Sequence, residues 1–182
     1  MAVLVALLRA VNLGPHNKVK METLRDLLAE LGCRDVQTYI QSGNVVFRTR
    51  ANDPAPVGKK IESAIEQHFA VKTTVVLRSP SELRSVIARN PFAKRTGIEP
   101  GKLYVFFLTG EPAAEARAKI AQVKVGPEEL QLDARELYTY YPDGMGQSKL
   151  TPALIERTLK LSGTARNWNT VTKLLEMAEA LE

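Results

Sequence analysis

The order of predicted secondary structure indicates an α+β protein built from two ferredoxin-like halves with antiparallel sheets and helices packed on them. Two strands, residues 3–11 and 103–108, are apolar on both faces, and each opens a run of β-α-β-β-α elements. In the ferredoxin-like arrangement the first and third strands lie in the middle of the sheet, so a doubly apolar first strand is expected there. Helices joined to antiparallel hairpins also favour this class over a doubly wound parallel sheet.

Periodicity and turn residues define the first half. Leucines at positions 24, 27, 28 and 31 follow the i, i+3, i+4, i+7 spacing of an amphipathic helix, and Gly32 ends it. Apolar alternation on both sides of Ser42-Gly43 predicts a hairpin of two strands. Residues 57–69 form the next helix and residues 73–77 a strand, which completes the order β-α-β-β-α-β.

The second half opens after a helix with a strong start signal. Ser79-Pro80-Ser81-Glu82 combines an N-cap serine, a proline at the first helical position and a glutamate three residues after the cap. A loop over residues 92–101 leads to the second apolar strand. The elements predicted after that strand are a helix near 112–123, strands near 129–133 and 136–141, and helices at about 151–161 and 168–181.

The second half therefore repeats the pattern β-α-β-β-α, with a terminal helix in place of the last strand. The order of elements is the only sign of a repeat, since no residue-level identity supports one. We expect subdomains at residues 1–79 and 80–182 that share one compact unit.

Composition indicates a soluble globular protein. The chain has 182 residues, of which 45% are hydrophobic and 25% charged, so disorder has no support. The apolar N-terminal stretch is interrupted by Arg9, has no basic region before it and is too short to span a bilayer. We read it as a buried strand and expect a cytoplasmic protein without a membrane partner.

Soft metal ligands are scarce. Cys33 is the only cysteine and the chain has two histidines, which leaves too few ligands for a disulfide, a thiolate cage or a typical metal site. We therefore expect no metal, haem or flavin cofactor and treat Cys33 as a small buried residue. No nucleophile motif such as G-x-S-x-G is present.

The net charge is mildly positive and unevenly distributed. It is +5, with 11 Lys+Arg against 7 Asp+Glu in residues 1–80 and 14 against 13 in residues 81–182. The excess in the first half would attract an anionic ligand, although it does not form a nucleic-acid stripe by itself.

Four polar segments lie at strand ends or helix starts, where backbone N–H groups and short side chains can converge on a ligand. They are Arg9–Gly14, Gln41–Asn44, Ser148–Thr151 and Thr164–Thr170. We predict that they form one polar cleft, because Arg9 interrupts an apolar strand and residues 41–44 offer more hydrogen-bonding groups than a tight turn requires. The residues predicted to line this ligand-binding cleft are Arg9, Asn12, Gln41, Ser42, Asn44, Ser148, Lys149, Arg166 and Asn169.

Structural roles compete with this hypothesis. Arg9 could pair with a carboxylate such as Asp35 or Asp133, and each asparagine could cap its own helix or turn. Residues 143–149 fail the Walker pattern, and Ser148 or Thr151 as an N-cap explains most of that segment.

Aromatic residues offer a second pair of alternatives. Trp168 could stack on a base while Arg166 meets phosphate, or it could pack in the core while Asn167 caps the last helix. We favour the core for Trp168 and leave Arg166 open. Tyr138 and Tyr140 share a strand face, where packing is favoured over a stacking platform.

The polar segments also carry a resemblance to a known family. The blocks are Leu8–Gly14 with His16–Val19 and Met21, Tyr39–Phe47, Asn90–Phe92, Ser148–Thr151 and Thr164–Val171. In this order they resemble the bacterial family catalogued as domain of unknown function 1697. The resemblance implies two ferredoxin-like subdomains in a cytoplasmic bacterial protein, and it implies no activity.

Two departures from the family pattern affect the first loop. Ala10 and Pro15 stand where the family has glycines. Pro15 also removes a backbone N–H, which weakens an anion cradle in that loop.

Two function classes follow from these observations. The first is a binding module for an anionic ligand, a nucleotide or nucleic acid, at the polar cleft. The alternative is an enzyme acting on a phosphorylated or otherwise anionic small molecule through polar rather than nucleophilic catalysis. Binding through several phosphates weakens steeply with salt, whereas a small-molecule pocket should respond less.

Overall fold

The computed structural model describes residues 1–182 and contains two four-stranded antiparallel sheets and six α-helices. The α+β class with two ferredoxin-like halves is therefore confirmed. The elements in chain order are β1 (Ala2–Leu8), α1 (Met21–Glu30), β2 (Arg34–Tyr39), β3 (Asn44–Thr49), α2 (Pro54–Phe69), β4 (Val75–Arg78), α3 (Pro80–Ala88), a 3₁₀ turn (Pro100–Lys102), β5 (Leu103–Leu108), α4 (Ala114–Ala121), β6 (Glu129–Asp133), β7 (Glu136–Tyr140), α5 (Pro152–Leu159), β8 (Gly163–Asn167) and α6 (Trp168–Glu179).

The first sheet has the strand order β2-β3-β1-β4, so β1 lies between two partners. Its pairing with β3 runs from Ala2 opposite Thr49 to Leu7 opposite Asn44. Every residue from Val3 to Leu8 is buried. This confirms the prediction of a central strand, because a strand covered on both faces needs apolar side chains at successive positions rather than alternate ones.

Helices α1 and α2 supply the core on one face of this sheet. Leu24 and Leu28 of α1 and Ile61 and Ile65 of α2 belong to the same buried cluster as Leu4, Ala6 and Leu8 of β1. The helical spacing of these side chains is the one that places them on a single stripe. None of the helices combines the length and the hydropathy that a membrane-spanning segment requires.

The second sheet has the order β6-β7-β5-β8, which corrects the prediction of a terminal helix in place of the last strand. β8 pairs antiparallel with β5, from Leu108 opposite Gly163 to Tyr104 opposite Asn167. Its sequence, Gly-Thr-Ala-Arg-Asn, has little intrinsic preference for a strand. Pairing with β5 therefore fixes its conformation, and both halves complete the β-α-β-β-α-β order.

The chain divides into two compact units, which are Met1–Ser85 with Lys173–Glu182 and Val86–Thr172. The C-terminal residues of the first unit are held by its own arginines. Arg48 Nε donates to the carbonyl oxygen of Leu181 at 2.7 Å, and Arg84 Nε lies 2.7 Å from a carboxylate oxygen of Glu179. The subdomain boundary at residues 79 and 80 and the single compact body stay predictions.

Candidate functional site

Asn12 ties the loop after β1 to the turn between β2 and β3. Its Oδ1 accepts the N–H of Val19 at 2.8 Å, and its Nδ2 donates to the carbonyl oxygens of Val19 at 2.9 Å and Gln41 at 2.8 Å. Asn12 also has a positive φ of 55°, which asparagine tolerates better than most residues. The side chain therefore shapes the loop, as the alternative of a structural asparagine predicted.

Residues 9–20, which we call the basic loop, present cations to solvent. All residues from Leu13 to Lys18 are exposed, and a hydrogen bond from Asn12 N–H to the carbonyl oxygen of Asn17 closes the tip at 3.0 Å. The loop carries His16, Lys18 and Lys20 besides Arg9, and no carboxylate occurs between Arg9 and Glu22. Its charge is therefore not balanced by an acidic residue of the same segment.

The β2–β3 turn carries three of the predicted site residues. Asn44 is fully buried, and its Nδ2 donates to the carbonyl oxygen of Tyr39 and to Ser42 Oγ, both at 2.9 Å. Gln41 is exposed and Ser42 is half-buried. Asn12, Gln41, Ser42 and Asn44 are thus brought together, with Asn44 serving the turn itself.

Arg9 lies just beyond β1 rather than within it, which corrects the view that it interrupts the strand. The residue is half-buried; its N–H donates to the carbonyl oxygen of Thr74 at 2.9 Å, and its own carbonyl accepts from Thr73 Oγ1 at 2.7 Å. The carboxylates proposed as its partners pair with other arginines. Asp35 lies 3.3 Å from Arg48, and Asp133 lies 3.3 Å from Arg89.

Ser148 connects the loop before α5 to a glutamate. Its hydroxyl donates to Glu128 Oε1 at 2.7 Å and accepts the N–H of Leu150 at 3.0 Å, whereas Lys149 is exposed. Thr151 caps α5 by accepting the N–H of Leu154. Glu128 is half-buried, and its Oε2 has no hydrogen-bond partner within the protein.

Arg166 is a buried cation on β8. It is 6% exposed, its Nη1 donates to Thr164 Oγ1 at 2.6 Å and to the carbonyl oxygen of Ala165 at 2.8 Å, and burial lowers the pKa of its guanidinium to about 10. Desolvation is the cause, because a low-dielectric environment disfavours the charged form.

Arg78 is an equivalent residue that sequence reasoning missed. It is 1% exposed and lies on β4 opposite Val5 of β1, just as Arg166 lies on β8 opposite Val105 of β5. Each arginine directly precedes a helix N-cap: Ser79 accepts the N–H of Glu82, and Asn167 accepts the N–H of Thr170. The sequence signal that could have identified Arg78 is its position, directly before an N-cap residue at the end of the last strand of its half.

The cap of α6 and the tyrosines of β7 follow the structural alternatives. Asn167 caps α6 as expected and Asn169 is exposed, whereas Trp168 is half-buried, so it is not part of the buried core in which we expected it. Tyr138 is fully buried and donates to the carbonyl oxygen of Val86 at 2.6 Å. Tyr140 is 7% exposed, so the strand offers no open stacking platform.

The nine predicted site residues are divided between the two units. Five belong to the first unit and four, Ser148, Lys149, Arg166 and Asn169, to the second. The cleft shared by all nine stays a prediction. The structure contains no group of three or more His, Cys, Asp or Glu residues arranged to hold a metal ion.

Comparison with known proteins identifies relatives of the chain. The model of a family described as protein of unknown function (DUF1697) matches residues 1–138. The solved structure of the conserved bacterial protein SP0830 from Streptococcus pneumoniae is similar with a TM-score of 0.75 and 23% sequence identity, covering 97% of this chain and 98% of that one. At this identity the similarity shows the fold. No curated protein matches the sequence significantly.

Proposed function

We propose that the chain, which belongs to the DUF1697 family, binds a phosphate-bearing ligand, a nucleotide or nucleic acid, through the basic loop and the neighbouring β2–β3 turn. One observation carries the proposal. An exposed loop in a fixed shape presents several cations, and its segment contains no carboxylate to neutralise them.

Charge is the first argument for this ligand class. Exposed lysines attract phosphates through a field that acidic residues would weaken, and the loop itself contributes no such residue. Two hydrogen bonds between Asn12 and Val19 fix the shape of the loop, and a third to the carbonyl oxygen of Gln41 holds it against the turn. The cations are thus presented on a preformed surface, which reduces the entropy lost on binding.

Exposed apolar side chains beside the cations are the second argument. Leu13 is 80% exposed and Ile40, in the turn, is 50% exposed. A nucleotide combines phosphate with an apolar base face, so it can contact both kinds of group. In this proposal Lys18 and Lys20 meet phosphate, Leu13 and Ile40 meet the base, and Asn12 positions the loop.

The salt dependence of oligonucleotide binding tests the proposal. A fluorescent single-stranded oligonucleotide would be titrated with protein at several salt concentrations. If Lys18 and Lys20 each neutralise one phosphate, the Lys18→Gln/Lys20→Gln variant lowers the slope of log K against log salt by about 1.4, at about 0.7 per contact. Wild-type protein should also bind more tightly throughout.

A matched control separates local contacts from net charge. The Lys94→Gln/Lys124→Gln variant removes two exposed lysines of the second unit, so either double variant falls from +5 to +3 (5 − 2). We expect it to bind like the wild type. The proposal is contradicted if both variants lose the same amount of oligonucleotide affinity. It is also contradicted if the slope of log K against log salt is unchanged in Lys18→Gln/Lys20→Gln.

A second measurement distinguishes the ligand sources and the enzyme alternative. Thermal shift with mononucleotides reports small-ligand binding, because a ligand that binds only the folded state raises its stability. Stabilisation by mononucleotides with little salt response indicates a nucleotide site. Consumption of the bound ligand, measured by chromatography after incubation, would instead identify an enzyme.

A further inference from the structure

A cavity of about 350 Å³ opens at the end of the first sheet away from the basic loop. Thr49, which lines it, pairs with Ala2 at the start of β1, whereas Asn44 pairs with Leu7 at the loop end of the same strand. Three segments form the cavity wall, which are residues 31–33 after α1, residues 49–51 at the end of β3 and residues 57–61 of α2.

The cavity combines an apolar base with a positively charged rim. Val57, Ile61 and Cys33 line it and are 8%, 1% and 8% exposed, so they belong to the core. Arg50 and Lys60 also line it and are exposed, and no carboxylate is among the lining residues. The preceding lysine of α2, Lys59, lies 2.7 Å from Glu62, so its charge is balanced locally.

We infer that this cavity binds a small amphipathic anion, with its anionic oxygens held by Arg50 and Lys60 and its hydrocarbon part placed against Val57 and Ile61. The volume lies within the range of small-molecule sites, which are mostly apolar with a few polar groups that orient the ligand. Two cations converging on one opening select an anionic head group, because their charges reinforce each other there. Arginine adds a planar fork that matches carboxylate or phosphate.

Cys33 provides a local reporter of occupancy. It is the only cysteine of the chain and lines the cavity. Burial raises the pKa of its thiol, so its alkylation by iodoacetamide is best measured at mildly alkaline pH, where the thiolate fraction is larger. A molecule seated in the cavity should block the reagent.

The experiment compares hexyl phosphate with two partial analogues, inorganic phosphate and 1-hexanol. At a hexyl phosphate concentration about ten times its dissociation constant, the free fraction and hence the alkylation rate should fall about tenfold. Neither analogue at the same concentration should protect Cys33 to this extent. Equal protection by 1-hexanol, or none by hexyl phosphate, overturns the inference.

Two double variants with the same change in net charge complete the test. Arg50→Gln/Lys60→Gln should lose the protection by hexyl phosphate, whereas Lys18→Gln/Lys20→Gln should keep it. All four side chains are exposed, so both variants should fold, which circular dichroism checks. Protection that survives in the first variant overturns the inference. Oligonucleotide binding by that variant should be unchanged, so this inference and the proposed function can fail separately.

Discussion

At the scale of single residues, the side-chain amide of Asn12 forms hydrogen bonds with the backbone of Val19 in the way that the backbone of a neighbouring strand does. It pairs with both the N–H and the carbonyl oxygen of Val19 and adds a third bond to the carbonyl oxygen of Gln41. Backbone groups near the start of a helix otherwise need water or caps. This is useful at the start of α1, where the N-cap residue Lys20 makes no side-chain capping bond. Asn12 is therefore a positioning residue of the basic loop.

Replacing Asn12 should destabilise the protein measurably. Asn12→Ala removes three hydrogen bonds at roughly 1 kcal/mol each and adds about 1 kcal/mol of strain at positive φ, so we expect a loss of about 3–4 kcal/mol in the free energy of unfolding. Asn12→Gly avoids the strain and should lose less. Urea denaturation measures both. Leu13→Ala, at an 80% exposed side chain, should change stability by under about 0.5 kcal/mol; a similar loss there would refute the account.

At the scale of elements, the β2–β3 turn approaches β1 so closely that its last residue must be glycine. A Cβ on Gly43 would lie 2.7 Å from both Leu8 Cβ and Val11 Cγ2, and its φ is +83°. The carbonyl group of Gly43 also lies beside β1, since Leu8 N–H donates to its oxygen at 2.8 Å. The turn and the end of β1 therefore form one packed element.

Gly43→Ala should reveal this packing when compared with Gly32→Ala. Gly32 has a similar φ of +87° but open space around it. We expect Gly32→Ala to cost about 1 kcal/mol from backbone strain alone and Gly43→Ala about 2–4 kcal/mol, because overpacking adds to the strain. Chemical denaturation of both variants measures the difference. Equal losses would show that the contacts with Leu8 and Val11 relax at no cost.

The second sheet shows the same dependence of a glycine on its neighbour. A Cβ on Gly163 would lie 2.9 Å from the carbonyl oxygen of Phe107. β8 thus begins with a residue chosen for close approach to β5 rather than for strand propensity. This explains why residues 163–167 gave little sign of a strand in isolation.

At the scale of the whole molecule, buried ionisable groups determine the response to alkaline pH. Burial raises the pKa of Tyr141 to about 12 and that of Tyr138 well above its ordinary value. The folded state therefore keeps two protons that the unfolded chain releases near pH 10, so stability falls as pH rises above that point. Burial of Arg166 acts in the opposite direction. Its lowered pKa means that the folded state loses this proton at a lower pH than the unfolded chain, which raises stability as pH increases. Two groups against one leave a net decline.

Alkaline titration tests this balance. Stability measured by urea denaturation should fall between about pH 10 and pH 12. Ultraviolet difference spectra should show that Tyr138 and Tyr141 ionise only as the protein unfolds. The Tyr138→Phe/Tyr141→Phe variant should lack this decline, so its free energy of unfolding between pH 10 and pH 12 should not fall below the value that the same variant has at pH 9. An undiminished decline in that variant would assign the effect to other groups.

Much of the molecule follows from its sequence alone. The spacing of Leu24, Leu28, Ile61 and Ile65 requires helices with one apolar face, and the continuous apolar runs of β1 and β5 require strands covered on both sides. Caps such as Thr151 and Asn167 were recognisable because the capping bond joins residues only three apart. These features depend on neighbours in the chain, so the sequence determined the α+β class and the order of the elements apart from β8.

Features formed by distant segments were decided only by the tertiary structure. β8 exists because β5 supplies its hydrogen bonds, and half-buried Glu128 meets the hydroxyl of Ser148, which follows it by twenty residues. The 350 Å³ cavity needs three segments that are separated in the chain and meet only in the folded protein. Local propensity carries no information about such meetings, because the free energy that fixes them comes from burial and pairing between segments rather than from the conformational preference of either.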